Sequence, residues 1–282
     1  MIKAPKVLVV IINYKSTKDL LELLESMKNL TYKNYDILVI DNNSQEDLSL
    51  LKKYKVKLIE NKENLGFTGA VNQAFKNFRY DYYLLLNPDT IIDKNLLSEL
   101  IETAEKNNAG FVGSAIYDYT TKKISAIAGK RNFITGLAFP VKNINAIMEL
   151  NGKDEYVDAC SLLVSRQVIE KVGYFDENYF AYLETEDLIL RAKKKGFRVF
   201  TNPKAIVYHK VYGSSKGNKS KRAVYLLNRN RIYFMKKFTN KSRFALFIVV
   251  NTLFVFPLMI LVYLIRGHFS LIPAVIRGNF SI

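Results

Sequence analysis

A chain of 282 residues, 49% hydrophobic and 24% charged, has a globular composition and is long enough for one large α/β domain with an appendage. Its single cysteine, Cys160, excludes an internal disulfide and a thiolate metal cluster. The net charge of +16 is unevenly carried: residues 1–187 hold 23 basic and 26 acidic side chains, and residues 188–282 hold 19 basic and none acidic. Such asymmetry implies nucleic acid, an anionic membrane or a phosphorylated ligand as partner.

In chain order, the apolar run 7–12 is too short for a signal-peptide core and lacks a small-residue cleavage site, so 7–14 reads as a first strand. Residues 17–30 predict an amphipathic helix with Leu20, Leu23, Leu24 and Met27 on one face, capped by Ser16 or Thr17. A second strand, 36–40, ends in Asp41-Asn42-Asn43-Ser44. A short helix, 46–54, and a third strand, 56–60, follow. The helix within 66–78 is entered through Asn64-Leu65-Gly66-Phe67-Thr68-Gly69. Next, Tyr82-Tyr83-Leu84-Leu85-Leu86 has the continuous apolar character of a strand buried on both faces, and Pro88 ends it. A helix from about 93 to 107 and a strand near 111–116 complete this half. Strands alternating with helices predict a mostly parallel, doubly wound α/β sheet.

Three polar corners then fall at strand ends on one edge of the sheet: 41–44, 61–69 and 87–89. Open α/β sheets bind ligands at that edge. Gly66 and Gly69 let backbone approach a ligand and open a helix whose N-terminus favours anions. Their spacing is not the dinucleotide fingerprint. Asp89, at the end of the central strand, suits a divalent metal carrying phosphates, because such ions take one or two carboxylates and keep substrate oxygens. Alone it reads equally as the cap of the next helix.

This ordered set resembles family 2 glycosyltransferases of the GT-A fold, a nucleotide-sugar-dependent inverting class. The residues that carry the resemblance are 9–14, Asp41-Asn42-Asn43-Ser44, Asn64-Leu65-Gly66-Phe67 with Asn72, Asn87-Pro88-Asp89, and Glu186-Asp187 followed by Arg191, within roughly 5–235. Asn87-Pro88-Asp89 stands where many members carry Asp-x-Asp, and is similar to the rhamnosyltransferase-like branch. The resemblance implies donor-nucleotide contacts from Asn13, Tyr14, Asp41, Asn42, Asn64, Gly66, Asn72 and Asn87, and a divalent metal, Mg or Mn, on Asp89. It implies a dTDP-rhamnose donor, with UDP- or GDP-sugars and a polyprenyl phosphate acceptor as the alternative.

The second half is expected to supply the acceptor side. Residues 156–164 read as a strand and 166–172 as a short helix closed by Gly173. A helix starts near Glu184. Glu184, Glu186 and Asp187 read first as an acidic turn that complements the helix dipole. The resemblance makes Asp187 the base that takes the acceptor proton, with Glu186 orienting the acceptor. Arg191 could hold these carboxylates by charge-assisted hydrogen bonds, and is also a candidate for the diphosphate. His209 ends a strand beginning near Arg198; a lone histidine is usually structural, and the resemblance places it near the metal or diphosphate. Residues 213–219, with Lys216, suit a flap over the diphosphate or an ordinary exposed loop. Arg222, on the next helix, is a further diphosphate candidate.

That helix runs from 221 to about 238, and the segment 244–265 then carries no charge over 22 positions, the length of a membrane span. It reads as a span, a helix lying in the interface, a re-entrant hairpin broken at Pro257, or a buried helix that pairs two copies. Lys and Arg on its N-terminal flank put the catalytic domain on the cytoplasmic face if it spans. A nucleic-acid-binding protein would instead interleave basic and aromatic residues without a long apolar segment, so nucleic acid is not the expected partner. The expected organisation is a catalytic domain, 1–235, with a nucleotide-sugar half, 1–118, an acceptor half, 119–235, and a membrane-associating tail, 236–282. The expected partners are a nucleotide-diphosphate sugar, a glycan or lipid-linked glycan acceptor, and an anionic membrane surface.

Overall fold

The computed structural model describes residues 4–142, 148–152, 155–210 and 220–281. Its first half alternates as its hydrophobic periods require: β1 (Val7–Asn13), α1 (Thr17–Met27), β2 (Tyr35–Asp41), β3 (Val56–Glu60), α2 (Gly66–Asn77), β4 (Tyr82–Leu86), β5 (Thr90–Ile92), α3 (Leu96–Asn107) and β6 (Ala109–Asp118). The expected helix over 46–54 is only a 3-10 turn, Ser49–Lys53, where Leu51 alone is buried. Leu48 and Tyr54 pack partly buried on the same core, and their spacing of three from Leu51 is the one a 3-10 turn lines up.

The second half adds short strands β7 (Ile124–Ala126), β8 (Ala128–Arg131), β9 (Ala138–Val141), β10 (Met148–Glu149) and β11 (Glu155–Tyr156), then β12 (Ser161–Ser165), α4 (Arg166–Val172), α5 (Glu184–Lys193) and β13 (Arg198–His209). The single strand expected over 156–164 is therefore two, β11 and β12. They belong to different sheets, with Asp158 turning the chain between them by accepting from the Cys160 N–H.

The main sheet runs β10-β13-β6-β12-β4-β1-β2-β3, with β5 on β13 and β7 on β6. β4, β1, β2 and β3 are parallel; β12 is wedged antiparallel between β4 and β6. The sheet is thus parallel through β4, β1, β2 and β3 and mixed on the other side. All five residues of β4 are buried, as its uninterrupted apolar sequence demands. One face packs α1 and α3 through Leu20, Leu23, Leu97 and Leu100; the other packs α2, α4 and α5 through Val71, Phe75, Val168 and Leu188.

Behind this frame come α6 (Lys221–Phe238), α7 (Lys241–Val250), α8 (Phe256–Ile265) and α9 (Ile272–Asn279). A π turn, Asn251–Val255, joins α7 to α8, so Lys241–Ile265 is one continuous helix of 25 residues. Pro257 does not break it into a hairpin. The proline follows the π turn directly, and the wider i→i+5 ladder there removes the carbonyl clash that a proline ring makes inside an α-helix.

Candidate active site

The three polar corners meet. A cleft of about 660 Å³ opens at the carboxyl ends of β1, β2 and β4, lined there by Tyr14, Asn42, Asn64, Gly66, Asn87 and Asp89. Because β12 runs antiparallel, its amino end lies at the same edge and adds Asp158 and Cys160. The opposite wall is the turn 180–183 with Glu184 and Glu186 of α5, and Arg222 and Leu226 of α6.

Around the first two corners, several expected ligand contacts are internal braces. Asn42 donates to Asn64 Oδ1 and the Gly66 carbonyl, both at 3.0 Å, and accepts from Asn61 and the Leu65 N–H, which ties the second corner to the first. Asp41 accepts from Asn13 Nδ2 at 2.8 Å and from the Ser44 N–H at 3.0 Å. Asn72 staples the Phe175 backbone through both its amide groups. Asn13, Asp41 and Asn72 do not line the cleft; they are buried behind it, where Asn13 donates to the side chains of Asp41 and Thr17, and Asp41 and Asn72 bond nearby backbone that shapes the cleft.

Gly66 stands where no side chain fits: its φ is +73° and a Cβ would lie 2.5 Å from the Phe180 carbonyl oxygen. The Thr68 N–H donates to that same oxygen at 3.2 Å, fastening the cleft wall to the entrance of α2. The wall itself is strained, with positive φ at Phe180 (62°), Tyr182 (71°) and Leu183 (67°). Asn230 of α6, fully buried, holds it there by donating to the carbonyls of Tyr179, Ala181 and Tyr182 at 2.9, 2.7 and 3.0 Å.

The three carboxylates of α5 part company. Glu186 is gripped by Arg131 of β8, Nε to Oε2 at 2.5 Å and Nη2 to Oε1 at 2.6 Å, a bidentate fork on the cleft surface. Asp187 faces the other way. It is fully buried, 2.5 Å from Arg191 Nε and 2.5 Å from Lys237 Nζ, and accepts from Tyr179 Oη at 3.1 Å. It does not line the cleft, and neither does Arg191, whose other nitrogens donate to the Val172 and Tyr174 carbonyls. Asp187, expected as the base, and Arg191, expected as a diphosphate ligand, are here partners in an ion-paired brace with Lys237. Glu184 lines the cleft with Oε2 buried and without a hydrogen-bond partner, and burial pushes its carboxyl up to about 7.

Across the cleft, Asp89 and His209 are brought together by the antiparallel pairing of β5 with β13, which sets His209 opposite Thr90. Asp89 Oδ1 lies 3.2 Å from His209 Nε2. The Asp89 carboxylate holds the imidazole above its ordinary range against the effect of burial. Arg222 lies over the Phe180 ring, 4.1 Å from its centroid, with its guanidinium at the cleft. Lys216 lies outside the described residues.

Residues 8–173, more than half the chain, match the family model described as Glycosyl transferase family 2. The chain belongs to that family. Among curated proteins it is 22% identical over 245 residues to the low-salt glycan biosynthesis hexosyltransferase Agl10 of Haloferax volcanii, covering 83% of this chain and 76% of that one. It is 25% identical over 203 residues to poly-beta-1,6-N-acetyl-D-glucosamine synthase of Staphylococcus aureus, covering 69% of this chain and 47% of the synthase, so it spans about half of that protein. Among solved structures, GalNAc-T7 with UDP, GalNAc and Mn2+ superposes with a TM-score of 0.65 at 16% identity, over 81% of this chain and 48% of that one. The mannosyltransferase PcManGT of Pyrobaculum calidifontis, in complex with GDP-Man and Mn2+, superposes with a TM-score of 0.63 at 14% identity, over 98% and 74%. The fold is that of GT-A glycosyltransferases.

This family 2 member offers a divalent ion one carboxylate and one imidazole. No group of three or more His, Cys, Asp and Glu poised for a metal occurs among the described residues. Two protein donors still fit an ion of the Mg or Mn kind, which completes its shell with phosphate oxygens and water. Sequence reasoning missed Arg131, Asn230 and Lys237; no local pattern marks them, because the bonds by which they hold α5 and the turn before it span at least 48 positions.

Proposed function

We propose that the chain is a metal-dependent, inverting glycosyltransferase that moves a sugar from a nucleotide diphosphate to a hydroxyl of a glycan. The observation that carries this reading is Glu184, a buried carboxylate among the residues lining the cleft, with one oxygen that has no hydrogen-bond partner, in a cleft whose other side bears Asp89 and His209. Asp89 and His209 would hold the ion, which neutralises charge on the departing diphosphate. Arg222 supplies further positive charge to that group. Tyr14, Asn64 and Asn87 contact the nucleotide and ribose, on the frame braced by Asn13, Asp41, Asn42 and Asn72.

In the transfer step, Glu184 takes the proton from the acceptor hydroxyl and the acceptor oxygen bonds to the anomeric carbon. The bond from that carbon to the diphosphate breaks, and the nucleoside diphosphate leaves with the electron pair. Attack from the side opposite the leaving group inverts the centre. Glu186, fixed by Arg131, orients the acceptor.

The donor proposed is dTDP-rhamnose, from the Asn87-Pro88-Asp89 corner. A UDP- or GDP-hexose is the second reading, favoured by the hexosyltransferase and N-acetylglucosamine synthase among the relatives. The acceptor is a glycan carried on a lipid, and the enzyme works at the cytoplasmic face of the membrane. The continuous helix Lys241–Ile265 supports this: it is long and apolar enough to cross a membrane, and only 17% of its most apolar stretch is buried in the protein. In this organisation residues 1–235 form the catalytic unit and 236–282 the membrane-associating tail.

Thermal-shift measurements against a panel of nucleotide sugars, with and without Mg or Mn, test the assignment, since a ligand of the folded state raises its stability. Stabilisation by a nucleotide sugar only when metal is present is expected. No stabilisation by any nucleotide or nucleotide sugar would sink it.

A further inference from the structure

At 1.5 Å per residue the 25-residue helix is about 37 Å long, and a bilayer core is about 30 Å thick. Length therefore permits both crossing and lying flat. The contacts along the helix distinguish them. Phe247, Asn251 and Val255, four residues apart, are buried in one seam, and Met259 and Tyr263 continue it against α6 and α9. The helix is thus docked on the enzyme along most of its length.

Its midpoint is fixed by polar bonds. Asn251 accepts from Arg231 Nη2 at 2.6 Å and donates to Asn279 Oδ1 at 3.1 Å, and Asn279 donates in turn to Asn228 at 3.3 Å. Arg231 also donates to the Thr135 carbonyl, between β8 and β9. Burial and nearby Arg131 push the Arg231 guanidinium down to about 10. α6, which carries Asn228 and Arg231, is the helix that forms the cleft wall through Arg222, Ala223 and Leu226.

A spanning helix has its midpoint at the centre of the hydrocarbon, and this one would take α6 and the cleft wall there with it. Charged groups are expelled from that region. Lying flat raises no such conflict. The seam then faces the enzyme while the exposed Leu246, Leu253, Leu258 and Ile265, with Phe269 and Phe280 beyond, face the acyl chains. Exposed Lys241 and Arg243 at one end, and Arg266 and Arg277 at the other, meet the headgroups, and no acid occurs after residue 187 to oppose them.

We propose that the Lys241–Ile265 helix and α9 form a monotopic seat lying in the plane of an anionic bilayer, at the boundary of headgroups and acyl chains. This rests on the membrane-surface reading above and settles its geometry. α6, a helix about 10 Å across, then lies between the cleft and the lipid, a distance suited to an acceptor that stays in the bilayer.

The chain contains no tryptophan, so one introduced indole is an unambiguous depth probe. Three full-length variants, Leu246→Trp, Phe254→Trp and Ile265→Trp, are mixed with phosphatidylcholine–phosphatidylglycerol vesicles brominated either near the headgroup or near the chain ends. The seat predicts that all three are quenched most by the shallow bromines and to similar extents. It also predicts that vesicle binding falls roughly tenfold or more when phosphatidylglycerol is left out or salt is raised. Deep quenching at residue 254 with shallow quenching at 246 and 265 would mean a span. Protein that ignores both vesicle types and forms dimers would mean that a second copy covers this face. Calorimetry with nucleotide sugar reports on the transferase reading separately: seated protein that binds no donor would sink that reading and leave the seat standing.

Discussion

Glu184 and Glu186 lie two residues apart in the first turn of α5 and both line the cleft, yet only Glu186 carries a cation on its carboxylate. Arg131 occupies both oxygens of Glu186, whereas Glu184 Oε2 has no partner. An engaged carboxylate positions; a disengaged one can accept a proton. Glu184→Gln is therefore expected to slow transfer by ~10²–10⁴-fold while donor affinity, measured by calorimetry, stays the same. Wild-type turnover in the Gln variant would remove Glu184 from the reaction.

The same carboxyl makes a stability prediction whose sign opposes its catalytic one. Its pKa, raised from 4.5 to about 7 by burial, with Asp158 and Glu186 adding to the shift and Thr185 opposing it, means that the folded state holds a proton the unfolded chain has released. Its contribution is fully present below about 4.5 and is lost as pH rises through about 7. Relative to wild type, Glu184→Gln should melt higher at pH ~8 and at nearly the same temperature at pH ~4, with a gain at the higher pH of roughly 1–3 kcal/mol. The wild-type transfer rate should instead rise with pH through about 7, as the base loses its proton. A Gln variant that melts lower than wild type at pH ~8 would count against a desolvated Glu184.

Asp187→Asn should act on stability first. It removes the fully buried charge that holds Arg191 and Lys237, and both cations are 24–30% exposed and so recover some hydration. Urea unfolding is expected to show a loss of roughly 2–3 kcal/mol, below the full cost of breaking a completely buried pair. Turnover per folded molecule should fall far less than in Glu184→Gln. A larger catalytic loss at equal folded fraction would return the base to Asp187.

Asp89→Ala should abolish the dependence of nucleotide-sugar binding on Mg or Mn, because it leaves His209 as the lone protein donor of the pair. Titration calorimetry with and without metal measures this. Equal metal dependence in both proteins would place the ion elsewhere.

Asn230→Ala tests the strained wall. The Ala181 and Tyr182 carbonyls lose this donor, while the Tyr179 carbonyl keeps the Ala181 N–H; the cost is about 1–3 kcal/mol for a buried group left unpaired. Faster amide exchange over residues 180–183 and a lower kcat/KM should appear together. Unchanged exchange there would show that the turn holds its own conformation.

What the sequence determined by itself is what depends on neighbouring residues. The unbroken apolar runs of β1 and β4, the helical period of α1 and the glycine entrance of α2 can each be read within a dozen positions, and each took the expected form. The polar corners follow because strand ends in a parallel sheet share one edge. Tertiary structure decided the rest. Glu184, Glu186 and Asp187 are all charged and all buried, so no contrast of polar and apolar residues shows which faces the cleft. Their orientations are set by partners distant in the chain: Arg131 for Glu186, Lys237 for Asp187, and Asn230 for the turn that aims the whole helix. Asp89 and His209, 120 residues apart, meet only because β5 pairs antiparallel with β13. A buried charge must find its counterion wherever the fold puts one, and that address is not written in local sequence.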